Sequence, residues 1–181
     1  MKTGVIGLGA MGAGMANNFH QAGVLNAVWN RTTSKAEALA RQTNCLLCES
    51  PEQIAAECEL IIICVSRDED VIEMVERVAS AVAANTIVVD TSTVSSDTAI
   101  KAAAILKKAG AHFLDCPVSG GSEGAVKGTL AMMVGGDEKI LDRARGNLDA
   151  ITKSIVHIGP TGSGQACKAV NQIICAGLYE T

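Results

Sequence analysis

The sequence predicts an α/β fold built on a doubly wound, mostly parallel sheet, and three observations carry that expectation. Short β-branched runs alternate with stretches of helical period almost to the end of the 181 residues, the pattern of a parallel sheet covered by helices. The run "LIIICV", Leu60 to Val65, is apolar at every position, as suits a strand buried on both faces. Near the start, "GVIGLGAMGAGMANNF", Gly4 to Phe19, passes from an apolar run through closely spaced glycines into a helix-like stretch. A hydrophobic content of 48% over this length suffices for one substantial core, and 18 glycines with 3 prolines are too few for a low-complexity chain.

The predicted strands are Gly4 to Gly7, Ala27 to Asn30, Cys45 to Cys48, Leu60 to Val65, Ile87 to Asp90, His112 to Asp115, Leu130 to Val134 and Ile155 to Ile158. Between them, Val71, Met74, Val75, Val78 and Val82 recur at helical spacing, and Ile140, Leu141, Ala144, Leu148 and Ile151 repeat the pattern. Each stripe can cover one face of the sheet. The last stretch, "GSGQACKAVNQIICAGLYET", starts a helix at about Gly164 and reaches the final residue without a stop signal. One domain is therefore expected over residues 1–163, and residues 164–181 are expected to begin a helix cut in its middle.

Net charge is −4 and aromatics make up 2%, so neither a basic stripe nor base-stacking platforms speak for nucleic acid as a partner. The first residues lack a signal-peptide pattern, and no apolar stretch approaches the ~20 residues that span a bilayer. A cytoplasmic protein without a membrane partner is expected. Seven cysteines without framework spacing agree with a reducing compartment. Cys45 and Cys48 form a CxxC inside an apolar "CLLC". Three residues apart on a strand, they face opposite sides and suit core thiols better than a metal grip.

Gly7, Gly9 and Gly12 spell GxGxxG directly after the first strand and at the opening of a helix, the setting that gives the motif its physical content. The first glycine permits the tight turn, the second lets a pyrophosphate approach the backbone, and the third lets helix and strand pack closely. The helix start at Ala10 and Met11 adds unpaired N–H groups and partial positive charge. A dinucleotide fits this turn, and the fold expectation sharpens to a Rossmann-type domain. About 20 residues further on, an acidic residue would receive the ribose of NAD, but the end of the second strand reads Asn30-Arg31-Thr32. Without a carboxylate to repel a 2′-phosphate, and with a guanidinium fork and a hydroxyl to receive it, NADP(H) is expected in preference to NAD(H).

In "DCPVSGGSEGAVKGTLAMMVGG", Asp115 to Gly136, residues Ser119, Gly120 and Gly121 are expected in a loop whose N–H groups and hydroxyl form a concavity for a carboxylate. In the final helix, Lys168, Asn171, Gln172, Cys175 and Tyr179 share one face, while Ala166, Ala169, Val170, Ile173 and Gly177 share the other. A polar stripe on an otherwise apolar helix suggests a lined cleft, in which Lys168 could deliver a proton to an oxygen gaining negative charge and Asn171 could orient it.

Three ordered stretches, "GxGxMGxGMAxN", "DxPVSGGxxGAxxGTLxxMVGG" and "GxGxxxKxxN", together resemble the β-hydroxyacid dehydrogenases, the group of 3-hydroxyisobutyrate dehydrogenase, tartronate semialdehyde reductase and the glyoxylate/succinic semialdehyde reductases. The resemblance covers nearly the whole chain. It implies that Ser119, Gly120 and Gly121 bind the carboxyl end of a small substrate, that Lys168 is the catalytic acid/base and that Asn171 assists it. It also implies that Val65 and Ser66, with Thr91 to Thr93, border the cofactor cleft. Relatives with K-x-x-N-N carry a second asparagine where Gln172 stands here, so both Asn171 and Gln172 are candidates for the substrate. A 6-phosphogluconate dehydrogenase would carry histidine at Asn171, and an imine reductase usually lacks the lysine. The family continues through its long helix into an all-helical domain that completes the site and builds a homo-oligomer, and this chain stops before it. The alternative to a hydride-transferring enzyme is a non-catalytic NADP(H)-binding module or scaffold.

Overall fold

The computed structural model describes residues 1–179, with side chains described through Ala176. Its elements run β1 (Thr3–Ile6), α1 (Ala10–Gln21), β2 (Leu25–Trp29), α2 (Thr33–Thr43), β3 (Leu46–Leu47), α3 (Pro51–Glu57), β4 (Leu60–Ile63) and α4 (Asp68–Ala79). They continue through β5 (Ile87–Asp90), α5 (Ser96–Lys108), β6 (His112–Asp115), β7 (Val118–Ser119), α6 (Gly121–Lys127), β8 (Leu130–Gly135), α7 (Glu138–Leu148), β9 (Thr152–Gly159) and α8 (Ser163–Tyr179). The strands form one sheet in the order β3-β2-β1-β4-β5-β6-β8-β7, with β9 against β8. From β3 to β6 every pairing is parallel. The chain leaves β1 toward β2 on one side and returns on the other with β4, so a crevice opens between the carboxyl ends of β1 and β4.

Successive strand residues feed two cores. Val5, Leu60, Ile62, Val89 and Leu114 pack with Met15 and Phe19 of α1, Leu39 of α2 and Leu141 and Leu148 of α7. Ile6, Ile61, Ile63, Val88 and Phe113 pack with Ile54 of α3, Val71, Met74, Val75 and Val78 of α4, and Leu106 of α5. Strands apolar at every position satisfy both layers at once, which is the doubly wound α/β sheet the sequence predicts.

Several expectations are corrected. Strands β1 and β4 end at Ile6 and Ile63, short of Gly7 and Val65, because the chain turns away at the crevice. Strand β3 holds only Leu46 and Leu47, with the two cysteines flanking it. Cys45 packs half-buried on one core and Cys48 fully on the other, so they do lie on opposite sides. Burial raises the Cys48 thiol to about 12. Ser119 to Gly121 is not a loop: Ser119 pairs with Ala131 in the short antiparallel β7, and Gly121 begins α6. A two-residue strand carries no periodicity to read. Strand β9 extends from Thr152 to Gly159 rather than Ile155 to Ile158, and Val82 and Ile151 lie just beyond the helices their stripes belong to.

Candidate functional site

The glycine turn is built by missing side chains. Gly7 sits at φ +93, and a Cβ there would strike the carbonyl oxygen of Cys64. A Cβ at Gly12 would collide with the carbonyl oxygen of Gly7, so this glycine lets α1 close onto β1. Gly9 differs: it is exposed, and a Cβ would meet nothing within 4 Å. It is also the N-cap of α1, with no side-chain cap and no acidic residue in the first turn. The turn therefore presents an uncapped helix start with free space above it, a fit for the pyrophosphate of a dinucleotide.

The end of β2 forms the next wall. The Asn30 side chain accepts from Leu8 N at 2.7 Å and donates to Thr32 O at 3.0 Å, bracing the glycine turn against β2. Beside it lies a cavity of about 220 Å³ lined by Gly7, Gly9, Arg31, Thr32 and Lys35 on one side and Val65, Ser66 and Asp70 on the other. Arg31 does not stand free at this wall but is held by two acids. Its Nη2 lies 3.0 Å from both Asp70 Oδ1 and Glu73 Oε2.

Further along the strand ends, a second cavity of about 320 Å³ is lined by Met11, Val65, Ser66, Thr91, Ser92, Thr93 and Val118. Cys64, Val65 and Ser66 border both cavities, which makes them one crevice along the carboxyl ends of β1, β2, β4 and β5. Ser92 latches its walls together by accepting from Val65 N at 3.0 Å. Its own N–H donates to Asp90 Oδ1 at 3.0 Å. Asp90 is fully buried and its other oxygen has no partner among the described residues. Burial pushes its carboxyl up to about 6 against the Ser92 bonds, and the charges of Asp115 and Asp68 add to the rise.

The head of α8 closes the far end. Asp115, at the end of β6, accepts from Gly162 N at 2.8 Å and from Gln165 N at 3.0 Å. Burial raises its carboxyl and these N–H groups oppose the shift. A Cβ at Gly164 would lie 2.6 Å from Asp115 O and 2.7 Å from Met133 O, so the helix head is seated directly on β6 and β8. Gln165 then reaches the crevice wall, donating to Ser92 O at 2.8 Å and accepting from Val94 N at 3.2 Å. Lys168 stands one turn beyond Gln165 on the same side, 6% exposed and without an ion pair among the described residues. Asn171 follows with Nδ2 buried and unpartnered.

Not every residue of the expected stripe lies inward. Gln172 is exposed, and the side chain of Tyr179 lies outside the described residues. The apolar face is turned outward, with Val170 57% and Ile173 73% exposed, the reverse of an ordinary amphipathic helix. Val118 lines the crevice, while Ser119 is half-buried and Gly120 and Gly121 are exposed just beyond it. The reading of the sequence did not single out Lys35, Asp70, Glu73, Asp115 or Gln165 as part of the site. Only Asp115 carried a local signal, an acid closing a buried apolar strand.

A larger cavity of about 780 Å³ opens at the opposite, N-terminal edge of the strands, between Lys2, Glu57, Glu59 and Arg143. Doubly wound sheets bind ligands at the carboxyl edge, where the glycine turn lies. Among the described residues no helix is long and apolar enough to cross a membrane.

The family model of the NAD-binding domain of 6-phosphogluconate dehydrogenase matches residues 2–159. The chain is 36% identical over 178 residues to 2-(hydroxymethyl)glutarate dehydrogenase of Eubacterium barkeri, covering 96% of this chain and 58% of that protein. It is 34% identical over 176 residues to an NAD-dependent L-serine dehydrogenase of Pseudomonas aeruginosa, covering 96% and 59%. The structure of Mycobacterium tuberculosis 3-hydroxyisobutyrate dehydrogenase with L-serine superimposes with a TM-score of 0.93 at 36% identity, over 97% of this chain and 60% of that one. The chain thus spans about three fifths of the length of these relatives. The glycine turn at the switch point of the sheet, the matching family model and these relatives lead to one conclusion: the chain belongs to the 6-phosphogluconate dehydrogenase NAD-binding family, among 3-hydroxyisobutyrate and related β-hydroxyacid dehydrogenases.

Proposed function

We propose that the protein is an oxidoreductase that exchanges a hydride between NADP(H) and a short β-hydroxy acid or its semialdehyde. Bound in the crevice, the coenzyme supplies or accepts the hydride. The first-turn N–H groups of α1 hold its pyrophosphate, and Arg31 and Thr32 receive the 2′-phosphate. Val65, Ser66 and Thr93 wall the continuation of the crevice. Ser119 and the N–H groups of Gly120 and Gly121 take the substrate carboxylate. During reduction the carbonyl oxygen gains negative charge, which the Lys168 ammonium stabilises before giving up its proton. Asn171 offers its unpartnered Nδ2 to the same substrate and fixes its orientation.

The observation that supports this reading best is the inward Lys168 on a helix whose preceding turn is bonded to the crevice wall through Gln165. An ordinary surface lysine would stand in water. In the same reading, residues 1–163 form the coenzyme domain, and the outward Val170, Ile173 and Ile174 of α8 are the surface on which an all-helical domain of a homo-oligomeric, cytoplasmic protein packs.

Calorimetric titration with NADP⁺ and NAD⁺ tests the coenzyme half. A panel of semialdehydes followed by NADPH absorbance tests the chemistry in a version that turns over. Lys168→Ala should lose turnover by about a hundredfold or more, the usual scale of a general acid, with coenzyme affinity preserved. Near-normal turnover would remove Lys168 from the reaction.

A further inference from the structure

We propose that Glu73 sets the balance between the two coenzymes by competing with the adenosine 2′-phosphate for Arg31. The inference rests on the reading that a pyridine dinucleotide occupies the crevice.

The geometry of the guanidinium carries it. Arginine grips a phosphate through two parallel N–H groups, either side-on through Nε and Nη2 or end-on through Nη1 and Nη2. Both forks contain Nη2. That nitrogen is the one engaged here, by Asp70 Oδ1 and Glu73 Oε2, each at 3.0 Å. Its two hydrogens match its two acceptors. No bidentate grip on a phosphate can form until one carboxylate lets go.

The two carboxylates differ in how easily they leave. Asp70 has an 11% exposed side chain and is shared with Arg67, whose Nε lies 3.2 Å from Oδ2 and whose Nη2 lies 3.4 Å from Oδ1. The Arg67 and Arg31 bonds hold its carboxyl below the ordinary range, so it stays charged and in place. Glu73 has a 49% exposed side chain, and Arg31 is its one ion-pair partner among the described residues. Released into water, it regains its hydration. Asp70 therefore anchors Arg31 at the cavity wall, and Glu73 occupies the place the phosphate takes. NAD(H) carries no 2′-phosphate and leaves the Glu73 pair intact. NADP(H) must break it and then sits near the displaced charge. Arg31 favours the phosphorylated coenzyme and Glu73 holds that preference down.

The test is titration calorimetry of this chain with NADP⁺ and NAD⁺ at one fixed salt concentration, for wild type, Glu73→Gln and the double variant Arg31→Ala with Glu73→Gln. Glu73→Gln should bind NADP⁺ about threefold more tightly, within the range of exposed ion pairs, and NAD⁺ as wild type does. In the double variant the gain should vanish, because its recipient is gone. A change of equal size for both coenzymes would reduce Glu73 to a general field effect and overturn the proposal, as would no change or weaker NADP⁺ binding. Absence of heat with either dinucleotide in a folded wild-type chain overturns the dinucleotide reading itself, and this inference with it.

Discussion

The glycine turn and the head of α8 stand at two ends of one crevice and are built on opposite principles. At the turn, Gly7, Gly9 and Gly12 work through absent Cβ atoms, within six consecutive positions of the chain. At the helix head, Asp115 and Gln165 work through buried or partly buried hydrogen bonds to groups 47, 50, 71 and 73 residues away. The first end is steric and local, so one methyl group can break it. The second is polar and long-range, so it inherits every shift of register between β5, β6 and β8.

The largest effect should come from a methyl at the local end. Gly12→Ala drives a Cβ into a backbone carbonyl that cannot yield, and urea unfolding should show a loss of about 3 kcal/mol or more. Gly9→Ala adds the same methyl in open space, so stability should stay within about 0.5 kcal/mol. Its dinucleotide affinity should nevertheless fall about tenfold, because on the proposed reading the methyl stands where the phosphate would meet the amides. Equal stability losses in the two variants would break the division between a packing glycine and a ligand glycine.

At the long-range end, Asp115→Ala strips the acceptor from two buried N–H groups. Unpaired groups of this kind cost about 1–3 kcal/mol each, and relief from burying a carboxylate offsets part of that, so a net loss of about 2 kcal/mol is expected. Amide exchange should quicken in the first turn of α8 while coenzyme affinity holds. Unchanged exchange there would mean the helix head is seated by packing alone.

The smallest effect is in pH. Asp90 has a folded value raised to about 6, above the ~3.9 of an unfolded chain. Between those values only the folded form keeps the proton. Its contribution to stability is therefore fully present below ~4, falls as pH rises through about 6, and is flat above. The difference in unfolding free energy between wild type and Asp90→Asn should trace that fall. Asp68 and Glu52 work in the other sense and lower down. Held at about 2 by Thr98 and Ser95 and by Arg77, they lose their contribution as pH falls from ~4 toward 2. A flat difference between pH 4 and 7 would remove Asp90 from the pH response.

Much of the sheet was legible because its strands are apolar on both faces and bounded by turn residues. Ile87–Asp90 and His112–Asp115 fall where the pattern puts them. Strand β7 was not legible, since two residues show no alternation and their partners Met132 and Ala131 lie more than ten residues on. In α8 the polar stripe was visible with Lys168 facing a cleft, but not that Gln172 of the same stripe stays in water. Gln165 looked like any polar helix residue until the loop at Ser92 to Val94 was set beside it.

What the sequence determined alone is the turn from β1 into α1, because its glycine spacing is local: the collision that forbids a side chain at Gly12 is with Gly7 five residues earlier, and the one at Gly7 comes where the turn meets Cys64 just past the end of β4. The seating of α8 on Asp115, and the capture of Arg31 by carboxylates 39 and 42 residues away, were decided only by tertiary structure. Those partners belong to different layers of the sheet, and nothing in either segment alone specifies the strand order that brings them within reach.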